Sequence, residues 1–333
     1  MGEPAGIGPE ITVKAWAHRR ENHLSPFVYI GDPRQLAAEA DRLGFDAPVK
    51  TVRSAAEAHA TFADGIPVLA LELEEAAVPG RPSRANAAAV LAAIDTAVEL
   101  ALGHEVCGIV TNPIHKAALY SAGFAHPGHT EYLAELVGRA GDPVQPVMML
   151  VAPGLRAVPV TIHIPLREVP AALTTDRIVA TCRTVVRDLG SRFGIARPRL
   201  AVAGLNPHAG EAGALGSEDL EIIAPAVAAL RAEGVDVSGP LPADTMFHSG
   251  ARRRYDAAIC MYHDQALIPI KTLGFADGVN CTLGLPFVRT SPDHGTALDI
   301  AGGNIADPSS LIAALRLTDR MARLEAAARR AAA

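Results

Sequence analysis

Short apolar runs alternate along this chain with longer segments in which apolar residues recur every three or four positions. The short runs predict β-strands and the longer segments predict helices. The predicted elements, by residue number, are strands over 27–31, 108–112 and 199–205 and helices over 33–43, 86–102, 176–189, 217–233 and 311–333. This alternation favours an α/β fold with a mainly parallel sheet and helices on both faces.

Three apolar runs, over residues 158–164, 200–205 and 257–262, end at or near His163, His208 and His263, and the second of them lies within the strand predicted over 199–205. In an open α/β sheet, the loops at the carboxyl ends of the strands converge on one edge, where ligands bind. Three imidazoles delivered there by separate segments could hold a divalent metal ion and leave positions open for a substrate. The alternative is that each histidine is a hydrogen-bonded structural residue.

The neighbours of these histidines favour the metal site. Asn206 and Glu211 flank His208 in one turn, and Asp264 and Gln265 come directly after the last of the three. Acidic and amide side chains of this kind fix the tautomer of a metal-binding imidazole. The spacings of 45 and 55 residues between the histidines match no zinc-finger pattern, so a catalytic ion is favoured over a structural one.

Lys271, Asn280 and Arg289 follow the third histidine at nine-residue intervals, beside apolar residues. In a chain of net charge −6, such cations are candidates for binding a phosphate or a carboxylate, and ordinary ion pairing is the alternative. His129 and Thr130 precede a predicted helix over residues 131–137 and would bring a helix N-terminus to an anion. A plain Thr cap is the alternative there.

The segment that begins at His294 is rich in small residues. The backbone N–H groups of such a loop can approach a dinucleotide closely, so the candidate cofactor contacts are His294, Gly295, Thr296 and Ala297, with Asp299 as a partner for a ribose hydroxyl. Because no G-x-G-x-x-G fingerprint occurs, a surface loop that leads into a helix is the alternative.

Composition narrows the class of protein. Hydrophobic residues make up 49% of the chain, and the net charge of −6 leaves no broad basic surface for nucleic acid. No stretch is expected to reach the length of a membrane helix and no signal peptide opens the chain, which predicts a cytoplasmic protein. The four cysteines have no metal-site spacing, and Cys107 and Cys260 fall in apolar runs, so we expect buried, reduced thiols.

The loop over residues 2–9 reads as a strand-to-helix connection, with Pro9 suited to a first helical turn. Almost nothing precedes this loop to form the strand. We therefore expect the natural polypeptide to start several residues upstream with an apolar segment, and Met1 to be an internal methionine.

Several long motifs together resemble those of the 4-hydroxythreonine-4-phosphate dehydrogenase family, in the same order and over nearly the whole chain. They are Gly-Glu-Pro-Ala-Gly-Ile-Gly-Pro-Glu from Gly2, Gly-His-Thr-Glu from Gly128, His-Ile-Pro-Leu from His163, Gly-Leu-Asn-Pro-His-Ala-Gly-Glu from Gly204, Gly-Pro-Leu-Pro-Ala-Asp-Thr from Gly239, Tyr-His-Asp-Gln from Tyr262, Thr-Leu-Gly-Leu-Pro-Phe-Val-Arg-Thr-Ser from Thr282 and Asp-His-Gly-Thr-Ala-Leu-Asp-Ile-Ala-Gly from Asp293. The last also looks like the cofactor loop of isopropylmalate and isocitrate dehydrogenases, whose fold the family shares.

The resemblance implies a two-domain α/β fold with a cleft between the domains. Motif positions predict a first domain over residues 1–125 plus 300–333, and a second over 126–299 that carries the metal ligands and dimer contacts. The implied site residues are the metal ligands His163, His208 and His263 and the substrate contacts His129, Thr130, Lys271, Asn280 and Arg289. The resemblance further implies a homodimer with its active site near the subunit interface, NAD or NADP as cofactor, and one zinc, magnesium or cobalt ion per subunit.

The implied reaction oxidises 4-phosphooxy-L-threonine to 2-amino-3-oxo-4-phosphooxybutanoate, which decarboxylates to 3-amino-2-oxopropyl phosphate in pyridoxal phosphate biosynthesis. Lys271, Asp264 and Asp244 are the candidates for proton transfer. The nearest alternative is a paralogous dehydrogenase of 4-phospho-D-threonate or 4-phospho-D-erythronate with the same site. A non-redox phosphotransacetylase-like enzyme and an inactive binding protein are further alternatives, which the three histidines and the intact motifs disfavour.

Overall fold

The computed structural model describes residues 1–126, 128–141 and 143–332, in which strands and helices alternate as predicted. The strands are β1 Tyr29–Gly31, β2 Val49–Val52, β3 Ile66–Ala70, β4 Gly108–Val110, β5 Val147–Ala152, β6 Leu155–Pro159, β7 Arg199–Ala203, β8 Asp236–Leu241, β9 Ala257–Cys260, β10 Val279–Leu283 and β11 Val288–Pro292. The helices are α1 Gly8–Ala17, α2 Pro33–Leu43, α3 Ala55–Thr61, α4 Ala87–Leu102, α5 Lys116–Ser121, α6 His129–Ala140, α7 Val169–Ala172, α8 Thr175–Phe193, α9 Ala224–Ala232, α10 Ser249–Arg252, α11 His263–Leu273 and α12 Ser309–Ala332.

The chain forms two compact units. Unit 1 holds Met1–Pro146 and Leu285–Asp319, and unit 2 holds Val147–Gly284 and Arg320–Ala333. These borders differ from those predicted from motif positions. Helix α6, which the prediction placed in the second domain, belongs to unit 1, because its Leu133 is buried in the core around α4 and its Tyr132 hydroxyl donates to Asp95 at 2.6 Å.

Unit 1 contains two groups of parallel strands. One has the order β1–β3–β2, and the other pairs β4 with β11. Helix α2 has the bounds that the sequence predicts, because its end signals are strong. The Asp32 side chain accepts from the backbone N–H of Arg34, Pro33 takes the first turn, and Gly44 ends the helix at φ +72°.

Unit 2 contains a sheet with the strand order β10–β5–β6–β9–β7–β8. Strands β6, β9, β7 and β8 are parallel, whereas β5 is antiparallel to both of its neighbours. The strand predicted over residues 158–164 is wrong in its bounds. The turn at Pro153 and Gly154, with Gly154 at φ +73°, folds β6 back onto β5, so the strand begins at Leu155 and ends at Pro159.

Two other sequence expectations need correction. The helix predicted over residues 217–233 is not regular, since a π-helical turn at Asp219–Ile223 precedes α9. The thiol of Cys107 is exposed, because the residue lies in the loop before β4, whereas Cys260 is buried within β9 as expected. Burial raises the pKa of the Cys260 thiol.

One described helix, Arg84–Leu102, is long and apolar enough to cross a membrane by length and composition alone. The expectation that no stretch would reach this length is therefore wrong. The mean hydropathy of 1.5 reflects the many alanines of the helix. Its Val90, Ile94 and Val98 side chains are buried in the core of unit 1, as in a core helix of a globular protein.

Candidate active site

The three histidine-bearing loops follow adjacent parallel strands of unit 2. Strand β9 pairs with β6 on one side and with β7 on the other. His163 comes shortly after β6, His208 shortly after β7, and His263 begins the helix that follows β9. Since the carboxyl ends of parallel strands share one edge of a sheet, the three loops emerge at the same edge, as predicted.

Hydrogen bonds beyond the strand ends hold the first and third loops together. The backbone N–H of Val160 donates to the carbonyl of Cys260 at 2.8 Å, and the buried Thr161 hydroxyl donates to the carbonyl of Met261 at 2.7 Å. The rings of His163 and His263 consequently lie with their centroids 5.6 Å apart. Two imidazoles on one tetrahedral ion, with nitrogens ~2.1 Å from the metal, have centroids roughly 5 Å apart, so this pair fits a shared ion.

The carboxylate of Asp264 orients His263. Its Oδ1 atom lies 2.7 Å from His263 Nδ1. In the neutral imidazole this nitrogen donates to the carboxylate, which leaves the lone pair of Nε2 for a ligand. The side chain of Asp264 is otherwise largely exposed, so it also has access to solvent protons.

Gln265 links the loop of His263 to the loop of His208. The sequence predicted a different role for this residue. The expectation was that Gln265 would fix an imidazole tautomer. Its buried side chain instead bridges two backbones, because Oε1 accepts from the N–H of Met261 at 2.7 Å and Nε2 donates to the carbonyl of Gly204 at 2.8 Å. Gln265 therefore fixes the register between the ends of β9 and β7.

Asp219, which sequence reasoning missed, anchors the loop that carries His208. Its fully buried carboxylate accepts from the backbone N–H groups of Leu205 and Asn206, at 2.9 and 3.1 Å, and from the Asn206 side chain at 2.9 Å. A Cβ on Gly204 would lie 2.6 Å from the carboxylate, so only glycine permits this approach. The Asn206 side chain thus donates to Asp219, and its predicted contact with the imidazole of His208 is not observed.

The loop itself has an unusual backbone. Five consecutive residues, from His208 to Ala212, have positive φ, and four of them are not glycine. Each non-glycine residue in this conformation costs roughly 1–2 kcal/mol. Such strain persists only when the surrounding structure fixes it. The Asp219 carboxylate fixes the backbone directly before this stretch, at Leu205 and Asn206.

We predict that Asp219→Ala destabilises the protein by roughly 2–5 kcal/mol, because it leaves two partly buried backbone N–H groups without an acceptor. Urea unfolding of the variant and the wild-type protein measures this difference. Glu221→Gln, an exposed change on the same turn, is the control and should alter the unfolding free energy by less than about 0.5 kcal/mol. An Asp219→Ala protein as stable as the control would show that the carboxylate does not hold the loop.

The described residues bring two of the three predicted metal ligands together. Within residues 1–126, 128–141 and 143–332, no group of three or more His, Cys, Asp and Glu side chains is arranged to hold a metal ion. Two of the three predicted ligands are neighbours at a suitable separation, and His208 lies exposed on the anchored loop. The three-histidine site stays a prediction.

Asp244 lies at the same sheet edge, beyond the next strand. Strand β8 pairs with β7, and the N–H of Gly204 donates to the carbonyl of Leu241 at 2.8 Å. Asp244 follows in a short turn and is exposed. Asp244 therefore follows a strand that neighbours β7, at the sheet edge that carries the histidine loops. It stays a candidate for proton transfer.

Lys271 and Asn280 are the predicted substrate contacts in unit 2. Lys271 lies in the last turn of α11, with its ammonium 5.5 Å from the ring centroid of Phe275, close enough for a cation–π interaction. Asn280 lies in β10, and its Oδ1 atom is buried and accepts no hydrogen bond from the described residues. A buried acceptor of this kind is available to a ligand donor.

Unit 1 carries a second group of predicted substrate residues. Arg289 lies in β11, which pairs with β4, and its side chain is 2% exposed. Its Nη2 atom donates to the hydroxyl of Thr111 at 2.7 Å. This contact orients the guanidinium at the carboxyl end of β4. The sequence did not predict that Arg289 would contact Thr111.

His129 begins helix α6, and Thr130 is its second residue, as the sequence predicts for a helix N-terminus. Gly128 precedes them and contributes no capping side chain. The Nε2 atom of His129 is buried and has no hydrogen-bond partner among the described residues. Burial, followed by the positive charges of Arg289 and Lys116, holds the pKa of His129 well below its usual value. The imidazole is therefore neutral at neutral pH.

This pKa shift predicts a loss of stability in mild acid. Because the pKa of His129 is lower in the folded state, the unfolded chain takes up the proton first, so stability falls as the pH drops below the unfolded value of about 6.5. The contribution is at most about 1.4 kcal/mol per pH unit. His129→Gln should remove it, whereas His59→Gln, at an exposed histidine of unit 1, should keep it. Equal pH dependence in both variants between pH 7.5 and 5, measured by urea unfolding, would contradict the assignment.

The predicted cofactor loop packs against the glycine-rich loop at the start of the chain. The N–H of Ile7 donates to the carbonyl of Thr296 at 3.0 Å. Ala297 has φ +43°, and the Nε2 atom of His294 is buried without a partner among the described residues. Asp299 is exposed. The Nε2 atom of His294, which has no partner among the described residues, is therefore available for a contact with a ligand.

A cavity of about 540 Å³ in unit 1 is a poorer candidate. Its lining is mostly apolar and includes Ile94, Ile109 and Leu315. No lysine or arginine lines it within the part of the chain that the structure describes. An anionic substrate would therefore find no lysine or arginine among the described lining residues of this cavity.

Comparison with known proteins identifies the family. The sequence model described as "Pyridoxal phosphate biosynthetic protein PdxA" matches residues 22–318. The 4-hydroxythreonine-4-phosphate dehydrogenase of Bradyrhizobium diazoefficiens is 56% identical over 330 residues, which cover 97% of this chain and 95% of that protein. The chain belongs to the PdxA family. It is an enzyme, an oxidoreductase of the dehydrogenase class, and the resemblance drawn from its motifs is confirmed.

Two solved structures of related enzymes match this chain over nearly its full length. A 4-hydroxythreonine-4-phosphate dehydrogenase from Burkholderia phymatum is 40% identical, with a TM-score of 0.81 over 97% of this chain and 96% of that chain. A terephthalate 1,2-cis-dihydrodiol dehydrogenase from Burkholderia xenovorans LB400 is 30% identical, with a TM-score of 0.63 over 96% of each chain. The predicted α/β class with a mainly parallel sheet is confirmed, and the second structure shows that the PdxA-like fold also serves another substrate.

Proposed function

We propose that this PdxA-family enzyme oxidises 4-phosphooxy-L-threonine with NAD or NADP to 2-amino-3-oxo-4-phosphooxybutanoate. This β-keto acid loses carbon dioxide and gives 3-amino-2-oxopropyl phosphate, a precursor in pyridoxal phosphate biosynthesis. The observation that carries the proposal is the emergence of three histidine loops at one sheet edge. The buried side chains of Thr161 and Gln265 link these loops to one another, and buried Asp219 anchors the loop of His208. The names of the relatives support the substrate.

The histidines His163, His208 and His263 would hold one divalent ion per subunit, with zinc, magnesium and cobalt as candidates. Neutral imidazoles are the appropriate donors, and the Asp264 carboxylate keeps His263 in the tautomer that offers Nε2. When bound, a divalent cation supplies Lewis acidity, which eases loss of the hydroxyl proton and favours decarboxylation. The proton would pass to Asp264, Asp244 or Lys271.

The charged residues would hold the anionic ends of the substrate. Arg289, oriented by Thr111, presents a fork of donors that matches a phosphate or a carboxylate. The neutral His129 can donate one hydrogen bond to the same anion, and Thr130 adds a helix N–H group. In unit 2, Lys271 and Asn280 add a cation and a buried acceptor, the latter suited to a substrate ammonium or hydroxyl donor.

The residues that would hold the nicotinamide cofactor are His294, Gly295, Thr296, Ala297 and Asp299, and the cofactor would supply the hydride acceptor. In the oxidation, the carbon that carries the hydroxyl gives up a hydride, and the hydroxyl gives up a proton. The bond to the carboxylate then breaks, and its electron pair remains on the substrate carbon until that carbon is protonated.

We also propose that the enzyme works as a cytoplasmic homodimer with its active site near the interface. Large apolar side chains of unit 2 support self-association close to the histidine loops. Leu166 follows the loop of His163 and is 67% exposed, and Ile268, on the helix that His263 begins, is 65% exposed. Apolar side chains exposed in this way are typical of an interface.

A dehydrogenase of 4-phospho-D-threonate or 4-phospho-D-erythronate is the second candidate, because the PdxA-like fold also occurs in the dihydrodiol dehydrogenase. Steady-state assays of the purified protein with the three phosphorylated compounds, NAD or NADP, and zinc, magnesium or cobalt separate the candidates. We expect kcat/KM to be highest for 4-phosphooxy-L-threonine. A clear preference for either phosphorylated hydroxy acid would replace the proposed substrate, and turnover of none of the three would refute the proposal.

A further inference from the structure

Lys116 is a cation that neither the motifs nor the resemblance singles out. It is exposed at the first position of α5, in unit 1. A Cβ placed on Gly128 would lie 3.5 Å from its Cε atom and 3.6 Å from its Nζ atom. The ammonium therefore lies alongside the backbone that starts helix α6, where the first N–H groups of a helix are free to bind an anion.

Other groups of the same unit converge on this place. Lys116 and Arg289 both lower the pKa of His129, so both charges lie near this imidazole. The buried Nε2 atom of His129 makes no hydrogen bond with any described residue, so it is available to a ligand at the start of α6. Glu131 Oε2 would lie 3.4 Å from the same Cβ position on Gly128, so a carboxylate also borders this place.

We propose that Lys116 binds the phosphate of the substrate, together with His129 and the first turn of α6, and so selects phosphorylated substrates. This inference rests on the proposed function. A phosphate dianion suits the arrangement because a helix N-terminus, an ammonium and a neutral imidazole donor each stabilise negative charge. Gly128 carries no side chain, so the Lys116 ammonium borders the backbone that starts α6 directly.

The test compares Lys116→Gln, Lys116→Arg and the control Lys50→Gln, a change at an exposed lysine of the same unit. For Lys116→Gln we expect the KM for 4-phosphooxy-L-threonine to rise about 10- to 100-fold, with kcat and the KM for the nucleotide changed less than about threefold. Lys116→Arg should recover most of the affinity, and Lys50→Gln should behave as the wild-type enzyme.

Inorganic phosphate gives a readout that does not depend on turnover. Its binding to the holoenzyme, measured by calorimetry, should weaken about 10-fold or more in Lys116→Gln and stay unchanged in Lys50→Gln. If the enzyme fails to oxidise 4-phosphooxy-L-threonine, the proposed function falls, yet the calorimetric comparison still decides the role of Lys116. Unchanged KM and phosphate affinity, or an equal rise in KM for unphosphorylated 4-hydroxy-L-threonine, would overturn the inference. So would a fall in Tm without any change in binding, since Lys116 would then only balance Glu131.

Discussion

Replacing His208 with alanine is expected to lower kcat/KM for 4-phosphooxy-L-threonine on the order of 10³-fold and to abolish stoichiometric metal binding. A catalytic metal ion contributes several kcal/mol to the transition state, and each 1.4 kcal/mol corresponds to a factor of ten. His163→Ala and His263→Ala should have the same effect, because their rings already lie 5.6 Å apart and the loops are tied together. Metal content by mass spectrometry and steady-state kinetics check the two expectations separately.

Combining the substitutions separates a shared site from independent roles. If the three histidines bind one ion, the double variants should lose little more activity than the single ones, since an incomplete site is already inactive. His59→Ala, at an exposed histidine of unit 1, is the matched control and should retain both metal and turnover. A His208→Ala enzyme with full metal occupancy and full turnover would remove His208 from the site.

Arg289→Ala is expected to lower kcat/KM for the phosphorylated substrate by roughly 30- to 1,000-fold. The loss of charge-assisted hydrogen bonds to an anion costs on the order of 2–4 kcal/mol in the transition state. The loss should be much smaller for 4-hydroxy-L-threonine, since Arg289 and Lys116 act on the same imidazole and are expected to share the phosphate.

The buried position of Arg289 calls for two controls in that experiment. Arg289→Lys keeps the charge but not the fork that reaches Thr111, so we expect an intermediate loss of activity and a normal circular dichroism spectrum. Arg53→Ala, at an exposed arginine of unit 1, should leave the kinetics unchanged. An equal loss for phosphorylated and unphosphorylated substrates would assign Arg289 to the carboxylate.

Local signals in the sequence predict the elements that they control directly. Helix α2 matches its predicted bounds because Asp32, Pro33 and Gly44 determine both ends within the element itself. The shared edge of His163 and His263 was also predictable, since a run of apolar residues that ends in a histidine places that histidine at the end of a parallel strand. These inferences need no knowledge of partners far along the chain.

The residues that sequence reasoning missed act through distant partners. Gln265 bonds to Gly204, 61 positions away, and nothing near Gln265 in the chain indicates that partner. Asp219 lies 14 positions after Leu205, in a segment that otherwise reads as an ordinary helix. No pattern of apolar positions in the sequence singles out Lys116. Its proximity to Gly128 arises only when α5 and α6 fold.

Hydropathy alone also misjudged burial. Cys107 and Cys260 lie in similar apolar runs, yet only Cys260 lies within a central strand, with partners on both sides. The alanine-rich α4 has the apolarity of a membrane segment, although its large side chains lie on one buried face. Burial depends on which elements pack together, and a single sequence does not contain that information.

The most direct measurement follows 4-phosphooxy-L-threonine labelled with ¹³C at its carboxylate, together with nucleotide reduction, in one reaction with the metal-loaded enzyme. The account predicts one labelled carbon dioxide released for each NADH or NADPH formed, with 3-amino-2-oxopropyl phosphate as the remaining product. Release of carbon dioxide without nucleotide reduction, or no reaction with either nucleotide and any of the three metals, would contradict it.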